Sequence, residues 1–422
     1  MPESQSVLNT RYSSPITTPA DMAQSRDWAK QHLAKAADLP ISFRLAGRLI
    51  RGLPDSWQPT VRARRLDANI IETVFDGTDP QTGLNVRVEC AEYRDYPVVE
   101  WVAWLTNTGS AATPLIADVR GLDADFEGLL PVLHHSNGDF ASAEGYTSRS
   151  TPLPQGEFLE FAPAGGRACD QAFPYFRIAF ARGGLCLAIG WPAQWAARFN
   201  GLAEGVSVRA GQELTQLRLQ PGETIRTPRM TVLTWAGDEE RAVNLWRRWY
   251  LAHILPRPDG RPMRPLLACA ATDEGEEFTA ATEANQIAFI EKFNQHGIRP
   301  DVWWIDAGWY PCYNAEHARR WPVTGSWRPD PERFPNGLKP ISDRAAELGA
   351  DLLTWFEPER VAAGTELYVE HPEWLLKVTG KTRESLQTAG TTQDGLLNLG
   401  NPAARQWLTD HVCGVIQENG IK

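Results

Sequence analysis

Between residues 40 and about 235, apolar and polar positions alternate with period two in short runs bounded by Gly, Pro, Asn and Asp. LNVRVEC (84–90), VVEWVAWLTN (98–107) and the segments 176–181, 185–191, 205–210 and 214–219 each read as a strand. Turn chemistry separates them at Asp76-Gly77, Asn107-Thr108-Gly109, Asn137-Gly138, Gly183-Gly184 and Pro221-Gly222. Many strands joined by hairpin-like turns, with almost no helical periodicity, predict an antiparallel β-sandwich.

The period then changes. Asp238 opens a helix whose apolar stripe is Val243, Trp246, Trp249 and Tyr250, running toward Pro256. PRPDGRPMRP (256–265) is Pro-rich and polar and reads as a linker. Beyond it, strands expected at 266–271, 301–306 and 351–356 alternate with helices at 279–296 and 338–348. A further short strand is expected at 396–399, and Asn401-Pro402 caps a last helix ending at Asn419-Gly420. This βα rhythm predicts a parallel sheet or a (β/α) barrel. The expected organisation is an N-terminal extension (1–39), a β-sandwich ending in a linking helix (40–255), a linker (256–265) and an α/β domain (266–422).

A (β/α)8 barrel takes roughly 250 residues, more than the segment 266–422 supplies. Ile421-Lys422 also falls where a fourth strand is expected to start. The fold class expected is therefore multidomain, β and α/β: a sandwich followed by the first part of a TIM barrel, truncated at about strand 4. A complete open sheet of a few strands is the alternative.

Composition narrows the field less. The 422 residues carry a net charge of −10 with no long Lys/Arg run, which argues against nucleic acid and anionic membranes as partners. Six scattered cysteines, without metal-ligand spacing, read as free thiols in a reducing compartment with no zinc site. The opening MPESQSVLNTRYSSP has no leader pattern, and no stretch is apolar enough to span a bilayer. A cytoplasmic location is expected. Seventeen tryptophans are the outlier. Most large aromatics are packing residues, so they fit a large core first and platforms for the apolar faces of sugars second.

In α/β barrels, functional side chains gather at the C-terminal ends of strands. WWIDAGW (303–309) delivers Asp306 ahead of a Gly turn and Trp309, and WFEPER (355–360) delivers Glu357, Glu359 and Arg360. Two carboxylates over an aromatic mouth suit glycoside hydrolysis, with Asp306 and Glu357 as the simple choice of pair. Equally, Asp306 holds a substrate hydroxyl while Glu359 and Arg360 form a structural ion pair. Neither a carboxylate set for Mg²⁺ nor a phosphate-cradling Gly loop is present.

Three blocks resemble glycoside hydrolase family 36, the melibiase-type α-galactosidases: WWIDAGW (303–309), GSWRPDPERFPNGL (325–338) and WFEPERVAAGTELYVEHPEW (355–374). LQPGETIRTP (219–228) is similar to the end of that family's N-terminal sandwich. The resemblance implies a nucleophilic Asp at the end of barrel strand 4 and a later acid/base Asp, both expected beyond Lys422. No catalytic residue is then assigned within the chain. It implies that Asp306 holds sugar hydroxyls as the first member of an Asp-Asp pair, and that Trp355 lines the subsite for the non-reducing sugar. Trp309, Glu357 and Arg360 complete the expected substrate-binding set.

Two positions depart from the family pattern. Ala307 stands where the second Asp belongs, and an arginine expected near Thr392 has no counterpart. A lost charge-assisted contact shifts sugar choice, so N-acetylgalactosamine or another α-linked pyranoside competes with galactose. The expected full-length activity is retaining hydrolysis of terminal α-galactosyl or related residues, with neither cofactor nor metal, by a homo-oligomer. A raffinose-synthase-like galactosyl transferase and a non-catalytic carbohydrate-binding homologue are the alternatives. The 422-residue polypeptide by itself is expected to be hydrolytically inactive and poorly soluble.

Overall fold

The computed structural model describes residues 16–139, 142–164, 167–272, 277–313, 318–377 and 394–422. The leader reading at 1–15 and the position near Thr392 lie outside them. The chain divides into two compact units, Met1–Met263 and Arg264–Lys422.

In the first unit, two antiparallel sheets face each other. One runs β10 (Phe158–Phe161), β13 (Trp195–Leu202), β14 (Gly205–Gln212), β7 (Ile116–Glu127), β1 (Ser42–Leu45) and β2 (Arg48–Arg51), with β15 (Gln216–Leu217) beside β7. The other runs β3 (Thr60–Arg65), β4 (Ile70–Thr78), β5 (Leu84–Tyr93), β6 (Val98–Asn107), β17 (Arg229–Trp235), β12 (Gly183–Gly190), β11 (Tyr175–Phe180), β8 (Val132–Ser136) and β9 (Ser148–Pro152), with β16 (Thr224–Arg226) beside β6. Period-two alternation does the sorting: Leu84, Val86, Val88 and Cys90 point into the core while Asn85, Arg87 and Glu89 do not. Phe43, Leu122, Phe199 and Val206 from one sheet meet Phe75, Val88, Trp101 and Leu187 from the other in a single core. The Trp101 indole N–H crosses it to the Gly121 carbonyl at 2.6 Å.

The second sheet is covered on both faces. Its outer face carries a separate cluster, in which Val98, Leu233 and Trp235 meet Ala242, Leu245 and Trp249 of helix α2 (Glu239–Trp249). This explains the near-continuous burial of β6. A π-turn over Tyr250–Ile254 ends that helix, so the α-helical part stops earlier than the stripe predicts.

Three local expectations are corrected. Asp76-Gly77 is inside β4, paired with Arg87 and Val86, and the chain turns instead at Asp79–Gly83. Only Gln216–Leu217 of 214–219 is a strand, since Leu214 sits exposed with φ 51°. The N-terminal segment holds helix α1 (Pro19–His32), started by a Thr18/Asp21 capping box, and its Trp28 stacks on Trp101 and Phe126 at 5.3 and 5.7 Å. Asp21 is fully buried and binds Arg241 at 2.7 Å, with the amides of Ala236 and Thr18 on its two oxygens. Burial works against its charge, but Arg241 and those amides outweigh it and hold the carboxyl below the usual range.

The second unit is α/β. Parallel strands β18 (Ala268–Cys269), β19 (Val302–Ile305) and β20 (Asp351–Thr354) are joined through α3 (Glu283–Gln295) and α4 (Lys339–Glu347) and followed by α6 (Pro402–Asn419). This is the first part of a (β/α) barrel. Trp303, Ile305 and Leu352 are buried beneath Ile290, Ile341, Ala345 and Leu408 of these helices. Trp304 and Leu353, on the opposite face, are 38% and 39% exposed. Beyond α6, the Lys422 amide donates to the Leu352 carbonyl at 3.0 Å.

The strand expected at 396–399 is not a barrel strand. β23 (Gly395–Leu397) lies between β21 (Arg360–Val361) and β22 (Leu375–Lys377), antiparallel to both. Long loops leaving a barrel strand must satisfy their own backbone groups, and this small sheet does so. It is accompanied by the short helix α5 (Glu366–Glu370).

Candidate functional site

The strand order decides which residues meet. Ile305 pairs with Thr354, so Asp306 and Trp355 leave the sheet at neighbouring positions of β19 and β20. The Trp355 amide still bonds the Ile305 carbonyl at 3.0 Å. Asp306 turns one oxygen back to the Ala307 amide (2.8 Å), and its other oxygen bonds no described residue. Gly308 follows with φ 106°, where an added Cβ would stand 2.9 Å from the Thr279 amide nitrogen. Only glycine makes that turn without strain.

Trp355 is half-buried in an aromatic box. Tyr310 stacks at 6.5 Å, Trp321 meets it edge-on at 5.9 Å, and Trp327 lies tilted at 5.9 Å. Trp309 is fully buried. Its indole N–H donates to the Trp355 carbonyl at 2.8 Å, and its ring packs edge-on against Phe356. Trp309 therefore offers no free face, and acts by fixing the backbone that carries Trp355.

Glu357 and Arg360 form an ion pair, with the Arg360 guanidinium 5.0 Å above the Trp321 ring. The alternative Glu359–Arg360 pair is thus replaced: a three-residue offset lets Glu357 reach the guanidinium, while Glu359 is exposed and its carbonyl is used by Leu397. Burial pushes the Glu357 carboxyl above the usual range; Arg360 pulls it back, and Glu359 and Asp394 push it up again. Asp394 accepts from the Ala363 amide at 3.1 Å through one oxygen. Its other oxygen is buried with no partner among the described residues, and burial raises this carboxyl too.

The loop between Asp306 and α4 has little regular structure, so something must satisfy its carbonyls. Arg333 does. Its buried guanidinium binds Asp330 at 2.9 Å and donates to the carbonyls of Phe278, Thr279, Ala281, Gly308 and Tyr310. Trp327, at φ 47°, occupies a left-handed conformation that costs a bulky residue about 1–3 kcal/mol. The His411 imidazole, from α6, meets its carbonyl at 3.1 Å. Arg333, Trp327, Trp321, Tyr310 and Asp394 were not singled out by sequence reasoning. The first three lie in or beside the block 325–338, whose regular D-x-x-R spacing was the available signal. Among the described residues, no group of three or more His, Cys, Asp or Glu is arranged to hold a metal ion.

Carboxylate and indole stand at adjacent strand ends of a partial (β/α) barrel. Comparison with known proteins agrees. Residues 246–422 match the Melibiase family model. α-Galactosidase 2 of Pediococcus pentosaceus is 24% identical over 241 residues, 55% of this chain and 31% of that protein. Among solved structures, the α-galactosidase from Lactobacillus brevis superposes with TM-score 0.71 at 17% identity, covering 90% of this chain and 52% of that one. A GH36 α-galactosidase from Geobacillus stearothermophilus, solved in complex with stachyose, gives 0.69 at 18% identity, covering 91% and 54%. The match to the Melibiase model is confined to residues 246–422, and over about nine-tenths of its length the chain shares the fold of these solved α-galactosidases. It spans about a third of that Pediococcus relative and about half of these solved neighbours.

Proposed function

We propose that the chain belongs to a retaining glycoside hydrolase acting on terminal α-galactosyl or related α-linked sugars, and that its second unit supplies sugar-binding residues of that enzyme. One observation carries this reading: β19 and β20 set Asp306, with one oxygen that bonds no described residue, beside the half-open indole of Trp355. A carboxylate that accepts from hydroxyls beside an aromatic face matches a pyranoside, which has polar edges and an apolar face.

Glu357, clamped to Arg360, is a poor nucleophile and a poor acid, so the Asp306–Glu357 pair is assigned to binding. Arg360 stiffens Trp321 and Glu357 around the sugar, and Trp309 positions Trp355. The small buried Ala307 leaves sugar selectivity to Asp306 and the aromatic box. The six unbridged cysteines support a cytoplasmic setting, and assembly of identical subunits belongs to the same proposal, testable by sedimentation. Among the described residues, no helix is long and apolar enough to cross a membrane.

The test is a tryptophan-fluorescence titration of the chain with galactose, N-acetylgalactosamine and glucose, repeated with Asp306→Asn. Saturable quenching by one of the α-galactoside-type sugars, weakened about tenfold or more in the variant, is expected. Equal responses to all three sugars and to the variant would refute the binding roles.

A further inference from the structure

The first unit contains a second cleft that the proposed glycosidase reading does not use. It has a volume of about 1110 Å³ and lies between strands β8, β9, β11 and β12 and the helix α2 with its π-turn. Its lining departs from the rest of the molecule in charge. The chain has 52 acidic against 42 basic side chains, yet Arg149, Arg177 and Arg247 line this cleft together with His134 and His135, and among the described residues no carboxylate does. Arg177 is engaged by Glu239 at 2.9 Å, and His134 faces the same carboxylate at 3.3 Å. Arg149 and Arg247 are exposed and have no side-chain partner among the described residues. Burial lowers the affinity of both imidazoles for a proton and the neighbouring guanidiniums lower it further, while Glu239 partly offsets this at His134.

The cleft also has a ring-binding wall. Phe173 stacks on Tyr175 at 4.8 Å, Tyr146 meets Phe173 edge-on at 5.3 Å, and Trp246 meets Tyr175 edge-on at 5.8 Å. Tyr146 is 50% exposed, and the other three are half-buried. Ser136, Ser148 and Ser150 add hydroxyls on the strand side. Unpaired guanidiniums match phosphate oxygens in fork geometry, and the aromatic wall matches a ring. A described lining without carboxylates separates this cleft from the ends of β19 and β20, which carry Asp306 and Glu357.

We infer that this cleft binds a phosphorylated ring compound, a sugar phosphate or a nucleotide, with the phosphate on Arg149 and Arg247 and the ring against Phe173, Tyr146 and Trp246. The two sources share that chemistry, and the arms of one experiment tell them apart.

Calorimetric titration of the full chain uses four probes: galactose 1-phosphate, AMP, free galactose and inorganic phosphate. At least one phosphate ester is expected to bind with a Kd below about 1 mM, about tenfold or more tighter than free galactose or inorganic phosphate. Preference for galactose 1-phosphate assigns a sugar phosphate; preference for AMP assigns a nucleotide. Arg149→Ala with Arg247→Ala is expected to weaken the ester about tenfold or more, with the circular dichroism unchanged. Because both arginines are exposed, the double variant is expected to fold; the milder Arg149→Lys with Arg247→Lys pair recovers part of the affinity and covers the case in which it does not. Phe173→Ala reports the ring contact separately, by bringing the ester down to the affinity of inorganic phosphate. The inference is overturned if neither ester binds, if esters bind no better than inorganic phosphate, or if a folded double variant binds the ester as the parent does.

Discussion

Among the described residues, each unit ties a buried Asp to an Arg, and the two pairs are used in opposite ways. Asp21 and Arg241 lie 220 positions apart and join the first turn of α1 to the start of α2. Asp330 and Arg333 are three residues apart, and the guanidinium spends its donors on the carbonyls of an irregular loop. The sandwich satisfies its backbone through ladders, so its buried ion pair is free to serve as a long-range tie. The loop between Asp306 and α4 has little ladder of its own, so a side chain with five donors stands in for one. A sheet therefore tolerates sequence change near its ion pair better than a functional loop does.

Breaking the second pair is expected to have the largest effect. Arg333→Met leaves Asp330 charged and buried and strips five carbonyls of a donor, a destabilisation of about 3–5 kcal/mol. In urea, the transition of the second unit should move to lower denaturant, and sugar-induced quenching should vanish. Arg333→Lys should rescue little, because an ammonium has three donors on a different geometry. A full rescue by lysine would show that charge alone matters there.

Asp21→Ala comes next, at about 2–4 kcal/mol, since it also removes the Asp21 half of the α1 capping box. The parent protein carries a pH signature here. The folded carboxyl of Asp21 is held below its ordinary value, so its stabilisation is fully present above that ordinary value of 3.8 and is lost as pH falls through the lowered one. Urea midpoints of the first unit should fall between about pH 5 and pH 2 in the parent and less steeply in Asp21→Ala. Equal slopes would assign the acid sensitivity to other carboxylates.

What the sequence disclosed follows the same division. Strands such as Val98–Asn107 were legible to the residue, because alternation and flanking turns act locally. Asp76-Gly77 misled because a turn-type dipeptide is tolerated inside a strand when both neighbours keep pairing. Helix α1 was missed although Thr18, Pro19 and Asp21 spell its start, because its stripe is weak and its order comes from Trp28 and Asp21 docking on distant strands. The strand-end positions of Asp306 and Trp355 were visible in the sequence, and the structure has both residues directly after paired strands. The Glu357–Arg360 pairing, the burial of Trp309 and the reach of Arg333 depend on loop paths that no period encodes.

Within the aromatic box the expected effects are smaller and separate binding from stability. Trp355→Ala removes the half-buried indole at the centre of the box; a loss of about 2–3 kcal/mol of stability is expected, with sugar quenching abolished. A variant that still binds sugar like the parent would move the binding wall elsewhere.

The smallest change asks whether Trp309 acts only through Trp355. Trp309→Phe keeps a ring against Phe356 but removes the N–H that reaches the Trp355 carbonyl, about 1 kcal/mol of stability. If Trp309 touched the sugar, affinity would fall as steeply as with Trp355→Ala. Because its ring is wholly buried, we expect a two- to threefold loss at most, arising from a looser Trp355 backbone. The ratio of the two affinity losses, measured in the same fluorescence titration, distinguishes a residue that lines the pocket from one that sets its wall.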